Sequence, residues 1–233
     1  MNAYLFAAGN GLRLRPLTDD VQKCMLPVMG KPMLEWWLDA VFQSECFDKV
    51  FVNVHHKADD VESWLKAYSW RKSRRIQVID ERAALLGTAR TLAKWANIED
   101  DFMTVYTDTF SHETMRHLQD FVEEWDRQPE SVVAGLLSFD VPGDGSAGVM
   151  LHNREGIVTS FLEKSASQEG WAWAGVMFGG PKLLDEIGPK ARDIARDVLA
   201  GLTGHIKIIG HVDAYDIGRG VEHYEHFNKR IRA

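Results

Sequence analysis

The sequence predicts an α/β fold, with a mostly parallel mixed central sheet and a smaller antiparallel lobe. Two observations carry this. Up to about residue 128, short apolar runs alternate with segments of helical spacing, the rhythm of a parallel sheet covered by helices. After Pro129, strand-like runs follow one another through turns, with few helices between them. The 233 residues are 45% hydrophobic, enough for one sizeable core. No linker rich in Pro, Gly or Ser divides them. One domain over 1–233 is expected, with a first lobe over about 1–128 and a second over about 129–233.

The elements follow in order. The apolar run from Ala3 to Ala7 reads as a strand that enters a loop at Ala8-Gly9-Asn10-Gly11. Pro32 stands where a helix starts, because its missing N–H costs nothing there. Leu34, Trp37, Leu38 and Val41 continue at helical spacing, predicting a helix over 33–44. Residues 50–54 form a buried strand, 58–68 a helix, 76–79 a strand and 88–95 a short helix. A strand over 102–106 runs out at Thr107-Asp108-Thr109. Met115, Leu118, Phe121, Val122 and Trp125 share one side of a helix over 113–126.

In the second part, strands are expected over 132–139, 149–152 and 157–162, with Asn153-Arg154-Glu155-Gly156 as a hairpin turn. Another strand covers 171–178, and short helices cover 181–187 and 194–202. Short strands at 206–209 and 214–217 precede a closing helix over 221–231.

Composition excludes several classes. A net charge of −7 argues against a general nucleic-acid surface. The two cysteines, Cys24 and Cys46, form neither a C-x-x-C nor a metal cluster and fit a reducing cytoplasm. The first residues lack a charged n-region, and no apolar run is long enough to span a membrane, so a cytoplasmic protein is expected.

The stretch most suited to chemistry is the loop after the first strand. Gly9 and Gly11 let the backbone turn with positive φ and approach a ligand closely. Exposed N–H groups in such a loop suit phosphate oxygens, and Arg13 and Lys23 add fixed positive charge. It is not a dinucleotide fingerprint, since Leu14 stands where a third glycine is needed. It is not a P-loop either, since no Gly-Lys-Ser/Thr closes it. Ligands of open α/β sheets bind beyond the carboxyl ends of strands. Asp108 falls there, after the 102–106 strand, and so does Asp216 in Tyr215-Asp216-Ile217-Gly218.

The run Gly9-Asn10-Gly11-Leu12-Arg13-Leu14-Arg15-Pro16-Leu17-Thr18, then Lys23 and Leu26-Pro27-Val28-Met29-Gly30-Lys31-Pro32, resembles the signature of sugar-1-phosphate nucleotidyltransferases. Weaker matches follow in matching order: Asn53-Val54-His55, Leu86-Gly87-Thr88-Ala89, Asp108, Phe161-Leu162-Glu163-Lys164, Ala174-Gly175-Val176 and Asp216-Ile217-Gly218. The resemblance implies a Rossmann-like three-layer sandwich and the reaction NTP + sugar 1-phosphate → NDP-sugar + pyrophosphate. That would supply NDP-sugars, as for cell-surface polysaccharides.

By the same resemblance, Ala8, Gly9, Gly11, Arg13, Lys23, Gly87 and Thr88 meet the nucleotide. Arg13 stabilises the departing β,γ-phosphates, and Lys23 neutralises the α-phosphate and the attacking phosphate. Glu163, Lys164 and Gly175 meet the acceptor, Glu163 through hydroxyls and Lys164 through phosphate. Asp108 and Asp216 hold Mg²⁺, the usual answer to two anionic reactants. Arg13, Lys23 and Asp108 are the expected catalytic residues. The partners implied are an NTP and a sugar 1-phosphate, without nucleic acid or membrane, in a chain that can self-associate.

The run departs from the signature at Leu12 (usually Thr or Ser), Gln22 (usually Pro), Thr107 (usually Gly) and Arg219 (usually Thr). Two other readings stay open. One is a cytidylyltransferase for phosphocholine or another non-sugar phosphate. Trp171 and Trp173 alternate on a strand, share a face, and would cage its ammonium group. The other is a non-catalytic sugar-nucleotide-binding protein. Trp36, Trp37, Trp64 and Trp125 are read as core or subunit contacts. His223 and His226 are read as solvated, and His55-His56 has no ligand spacing.

Overall fold

A computed structural model describes residues 1–68, 75–141, 147–162 and 169–230. Its strands are β1 (Asn2–Phe6), β2 (Pro27–Val28), β3 (Lys31–Pro32), β4 (Lys49–Val54), β5 (Ile76–Asp80), β6 (Phe102–Tyr106) and β7 (Thr109–Phe110). They continue with β8 (Ala134–Val141), β9 (Val149–His152), β10 (Val158–Leu162), β11 (Gly170–Gly179), β12 (Ile206–His211) and β13 (Tyr215–Asp216). The α-helices are α1 (Leu17–Asp20), α2 (Met33–Gln43), α3 (Ala58–Ala67), α4 (Thr88–Trp95) and α5 (His112–Arg116). Then come α6 (Leu118–Asp126), α7 (Pro181–Asp185), α8 (Ile194–Asp197) and α9 (Val221–Arg230).

The α/β fold is as expected. Strands β5, β4, β1 and β6 are parallel neighbours, so all four release their chains at one carboxyl edge. Alternation along β1 splits the core into two layers. Ala3 and Leu5 face a cluster containing Trp37, Val61, Leu65 and Val122 from α2, α3 and α6. Tyr4 and Phe6 face the opposite cluster, with Ala89 and Leu92 of α4, Leu183 of α7 and Ile194 of α8. The sheet therefore has helices on both faces, which is the three-layer arrangement.

Strand β11 joins the two parts. Its second half pairs antiparallel with β6 and its first half reaches β9, while β8 runs along its other edge. The register shifts between Trp173 and Met177, and Gly175 sits there with φ +76°. A Cβ on Gly175 would stand 3.1 Å from both Tyr106 Cβ and Thr109 Oγ1, so the joint needs glycine twice over.

Some elements differ from expectation. The 113–126 helix is two helices, α5 and α6, because His117 leaves helical geometry at φ −116°, ψ 25°. Apolar spacing runs through the break, so sequence pattern alone does not reveal it. The 194–202 helix ends at Asp197, and a 3-10 turn over Leu199–Gly201 follows. The strand expected over 214–217 is present as β13, but its partner β7 and the short pair β2–β3 lack the length to show alternation and go unseen in the sequence. The Asn153 turn is as read: its side-chain Oδ1 accepts from the Glu155 and Ile157 amides at 3.0 and 2.9 Å.

Trp37 is fully buried, and its indole N–H donates to the Thr109 carbonyl at 3.0 Å. It ties α2 to the turn that carries Asp108. Trp37→Ala removes a large core side chain and leaves that carbonyl unpaired, with an expected loss of about 3–5 kcal/mol in chemical denaturation. A loss below about 1 kcal/mol would contradict this account of the packing.

Candidate active site

A cleft of about 340 Å³ opens at the carboxyl edge of the parallel strands. Ala8 and Gly9 line it after β1, Asn53 near the end of β4, Gly87 and Thr88 at the start of α4, and Asp108 after β6. Lys23 stands between this cleft and an adjoining hollow formed by Gly9 to Leu14 and Gly218. Sequence positions far apart are gathered because each follows a strand that ends on the same side.

The glycine loop is shaped by specific bonds. Gly11 is left-handed at φ +64°, and a Cβ there would stand 2.8 Å from Thr18 Cγ2. Thr18 Oγ1 donates to the Gly11 carbonyl at 2.8 Å. Buried Gln22 donates its amide N–H groups to the carbonyls of Ala7 and Gly9, the latter at 2.9 Å, and accepts from the Cys24 amide at 2.6 Å. The Ala7 and Ala8 amides donate to Asn53 Oδ1 at 2.7 and 3.2 Å. The loop's donors for a phosphate therefore begin at Gly9 rather than at Ala8. Arg13 is exposed at the rim and makes no ion pair among the described residues.

Charge concentrates next to the loop. Lys23 Nζ pairs with Asp108 Oδ2 in a half-buried contact. Strand β13 pairs with β7 so that Asp216 lies opposite Thr109, one residue past Asp108. The point where a Cβ on Gly218 would stand touches Lys23 Nζ and lies 2.9 Å from Asp108 Oδ2 and 3.0 Å from Asp216 Oδ1. Lysine and both aspartates thus surround one glycine. Burial, and then the Asp108 charge, hold the Asp216 carboxyl above the usual range, although Lys23, the Gly218 amide and Arg13 pull the other way. Such a site favours a cation over a second free carboxylate.

The opposite wall is held by other bonds. Thr88 Oγ1 accepts from Tyr106 Oη at 3.1 Å and from the Ile194 amide at 3.0 Å. Arg192 donates to the Leu85 carbonyl at 2.9 Å, and its own carbonyl accepts from Ala89 at 2.9 Å. Gly87, at φ +89°, leaves room for that carbonyl. Gly175 packs against Tyr106 and Thr109, beside the Asp108 turn. Among the expected residues, Ala8, Gly9, Lys23, Gly87, Thr88 and Asp108 line the cleft, and Gly11 and Arg13 line the adjoining hollow; Asp216 lies against Gly218 of that hollow, whereas Gly175 lines neither and packs against Tyr106 and Thr109. Glu163 and Lys164 lie outside the described residues.

Tyr106, Arg192, Asp193 and Glu81 were not singled out by the sequence. Glu81 had a usable signal, since it directly follows β5 at the same edge as Asp108 follows β6. Arg192 and Asp193 carried none. The two tryptophans do not form two open walls. Trp171 stacks with His152 and lies tilted against His211, each 4.4 Å between ring centroids. Trp173 donates its N–H to the Val176 carbonyl at 2.8 Å and meets Tyr106 edge to face.

The carboxyl edge of a parallel α/β sheet here carries a glycine loop, a lysine and two carboxylates, an arrangement of backbone donors and charge that suits a phosphate group. Comparison with known proteins gives the particular family. The model of the nucleotidyl transferase family matches residues 2–204, and the chain belongs to that family. It is 28% identical over 204 residues to a UTP–glucose-1-phosphate uridylyltransferase of Synechocystis sp., covering 80% of this chain and 51% of that protein. It is 25% identical over 203 residues to a putative mannose-1-phosphate guanyltransferase of Sulfolobus acidocaldarius, covering 87% and 54%. The chain thus spans about half the length of these curated relatives. The structure of HddC from Yersinia pseudotuberculosis shares the fold, with a TM-score of 0.79, 20% identity and 99% of each chain covered. Among the described residues, no helix is long and apolar enough to cross a membrane.

Cys24 lines the cleft but is buried, and burial pushes its thiol up to about 12 despite the neighbouring Lys23. At pH 8 only about one thiol in ten thousand is then ionised. A thiol reagent should label the native chain at half-buried Cys46 first, and reach Cys24 only on unfolding. Mass spectrometry of the labelled peptides checks this, and rapid native labelling of Cys24 would refute it.

Proposed function

We propose that this chain transfers a nucleotidyl group from an NTP to a sugar 1-phosphate, releasing pyrophosphate. The convergence of Lys23, Asp108 and Asp216 around Gly218, next to the glycine loop, carries the reading. Family membership and the activities of the two sugar-1-phosphate relatives support it. In this reading the nucleotide lies along residues of the 1–128 part and the acceptor meets the 129–233 part near Gly175, with Glu163 and Lys164 binding its hydroxyls and phosphate.

The two carboxylates fit Mg²⁺. They are hard oxygen donors close to one point, and each raises the need for a cation there. Mg²⁺ needs only one or two carboxylates when phosphate and water complete its shell. When bound, it neutralises phosphoryl charge and helps orient the triphosphate. The chain's own residues supply the rest. Amides from Gly9 onward and Arg13 hold the β,γ-phosphates and stabilise them as they leave. Lys23 balances charge at the α-phosphate, where it builds most in the transition state. The attacking phosphate oxygen is already ionised, so no side chain need remove a proton. Positioning and charge stabilisation then account for the chemistry.

An ammonium-bearing acceptor is less well served, since Trp171 is already packed against two histidine rings and Trp173 against Tyr106. The two relatives transfer different bases, so the NTP is left to experiment. Pyrophosphate release should be measured with four NTPs against hexose and heptose 1-phosphates and phosphocholine. The expected result is Mg²⁺-dependent turnover with a sugar 1-phosphate and none with phosphocholine. Lys23→Ala should lower kcat about 100-fold or more, with a smaller change in the KM for NTP. Turnover with phosphocholine alone, or no turnover at all, would overturn the proposal.

A further inference from the structure

The two walls of the cleft meet through one buried carboxylate. Glu81 follows β5 and is 2% exposed. Its Oε1 accepts from Asn53 Nδ2 at 3.1 Å and from the Thr91 hydroxyl at 2.5 Å. Its Oε2 accepts from the Leu86 amide at 3.1 Å. Leu86 lies in the segment leading to Gly87 and Thr88, and Thr91 lies one turn into α4. Asn53 in turn holds the Ala7 and Ala8 amides on its Oδ1.

We infer that Glu81 is the positioning residue that sets the nucleotide cleft, by fixing which way the Asn53 carboxamide points. The inference rests on the function proposed above. A carboxylate only accepts hydrogen bonds, so Asn53 must turn its NH₂ toward Glu81. Its oxygen then faces the two amides that open the glycine loop. The same carboxylate anchors the Leu86 segment. The relative placement of the two loops thus depends on the donor–acceptor polarity of one side-chain pair, with no direct contact between that pair and the reacting phosphates required.

Polarity can be reversed without changing shape. Glu81→Gln alone sets an NH₂ against the Asn53 NH₂ or against the Leu86 amide, according to which way it turns, or forces Asn53 to turn its NH₂ on the Ala7 and Ala8 amides. Asn53→Asp alone sets two carboxylates face to face. Together they restore every partner. In the double variant the new carboxylate at position 53 accepts from the Ala7 and Ala8 amides and from the new glutamine NH₂. The glutamine oxygen accepts from Leu86, and Thr91 Oγ1 accepts from the same NH₂ while donating to the Gly87 carbonyl, 3.0 Å away.

The test compares the wild-type chain, Glu81→Gln, Asn53→Asp and the double variant. Each single variant should raise the KM for NTP and its calorimetric dissociation constant about tenfold, with kcat and the acceptor KM within about threefold. The double variant should return to within about threefold of wild type. Hydrogen exchange at the Ala7 and Ala8 amides should speed up in Glu81→Gln and slow again in the double variant. A merely structural role would lower melting temperature and active fraction while leaving the KM of the folded molecules unchanged. Unchanged NTP affinity in the single variants overturns the inference, and so does a double variant no better than the singles. A wild-type chain that binds NTP without transferring it overturns the proposed function alone. One that binds no NTP overturns both.

Discussion

The fold keeps two carboxylates close together in a half-buried place, and much of the cleft answers that constraint. The two-residue ribbon of β7 and β13 sets Asp216 across from Thr109, beside Asp108. Like charges so placed repel, and burial of Asp216 adds to the cost, which is why its carboxyl holds a proton more readily than a free one. Lys23 supplies the opposing charge. Glycine at position 218 leaves all three groups where they are, since a Cβ there would displace the Lys23 ammonium and press on both carboxylates. A ribbon one residue out of register would point one carboxylate away and remove the repulsion together with the cation site.

That constraint reaches outward through backbone. The turn bearing Asp108 is tied to α2 by the Trp37 indole and to β1 by Thr107, whose hydroxyl donates to the Phe6 carbonyl at 2.9 Å. On its far side it meets Gly175, where β11 shifts register against β8 and its other edge passes from β9 to β6. The strand that carries the antiparallel part into the sheet therefore passes directly beside the charged cluster. A side chain at residue 175 would push against Tyr106 and Thr109, so packing at this joint and geometry at Asp108 are coupled.

The alternation of strands and helices was legible because each long element carries its own period. Ala3 and Leu5 against Tyr4 and Phe6, or Leu34, Trp37, Leu38 and Val41, suffice to give face and type. Two-residue strands carry no period, so the ribbon that brings Asp216 to Asp108 could only be inferred from motif resemblance. The break at His117 was hidden for the opposite reason: Met115, Leu118 and Val122 keep a helical spacing across it. At the site, residues offering charge or glycine were legible by type. Gln22 and Glu81 could be picked out by position, but their roles could not, because these depend on which backbone groups the fold turns toward them.

The departures from the family signature illustrate the difference between losing a chemical group and replacing a scaffold. Gln22 stands where proline is usual, yet its carboxamide is fully engaged with Ala7, Gly9 and Cys24. A proline would stiffen the chain before Lys23 by restricting φ; the glutamine instead fixes the same stretch by three hydrogen bonds to the loop it must face. Thr107, where glycine is usual, spends its hydroxyl on Phe6 and so strengthens the β1–β6 edge from which Asp108 projects. Both substitutions add bonds to backbone that positions a charged residue, and neither removes a charge from the cluster. Leu12 is different: it is 62% exposed beside Arg13, and nothing in the structure explains it. Two of the altered positions thus support the cleft's frame, while Lys23, Asp108 and Asp216 remain together on it. Asp216 is held half-buried beside a second carboxylate at a cost that Lys23 offsets only in part, and a cation at the same point would offset the rest.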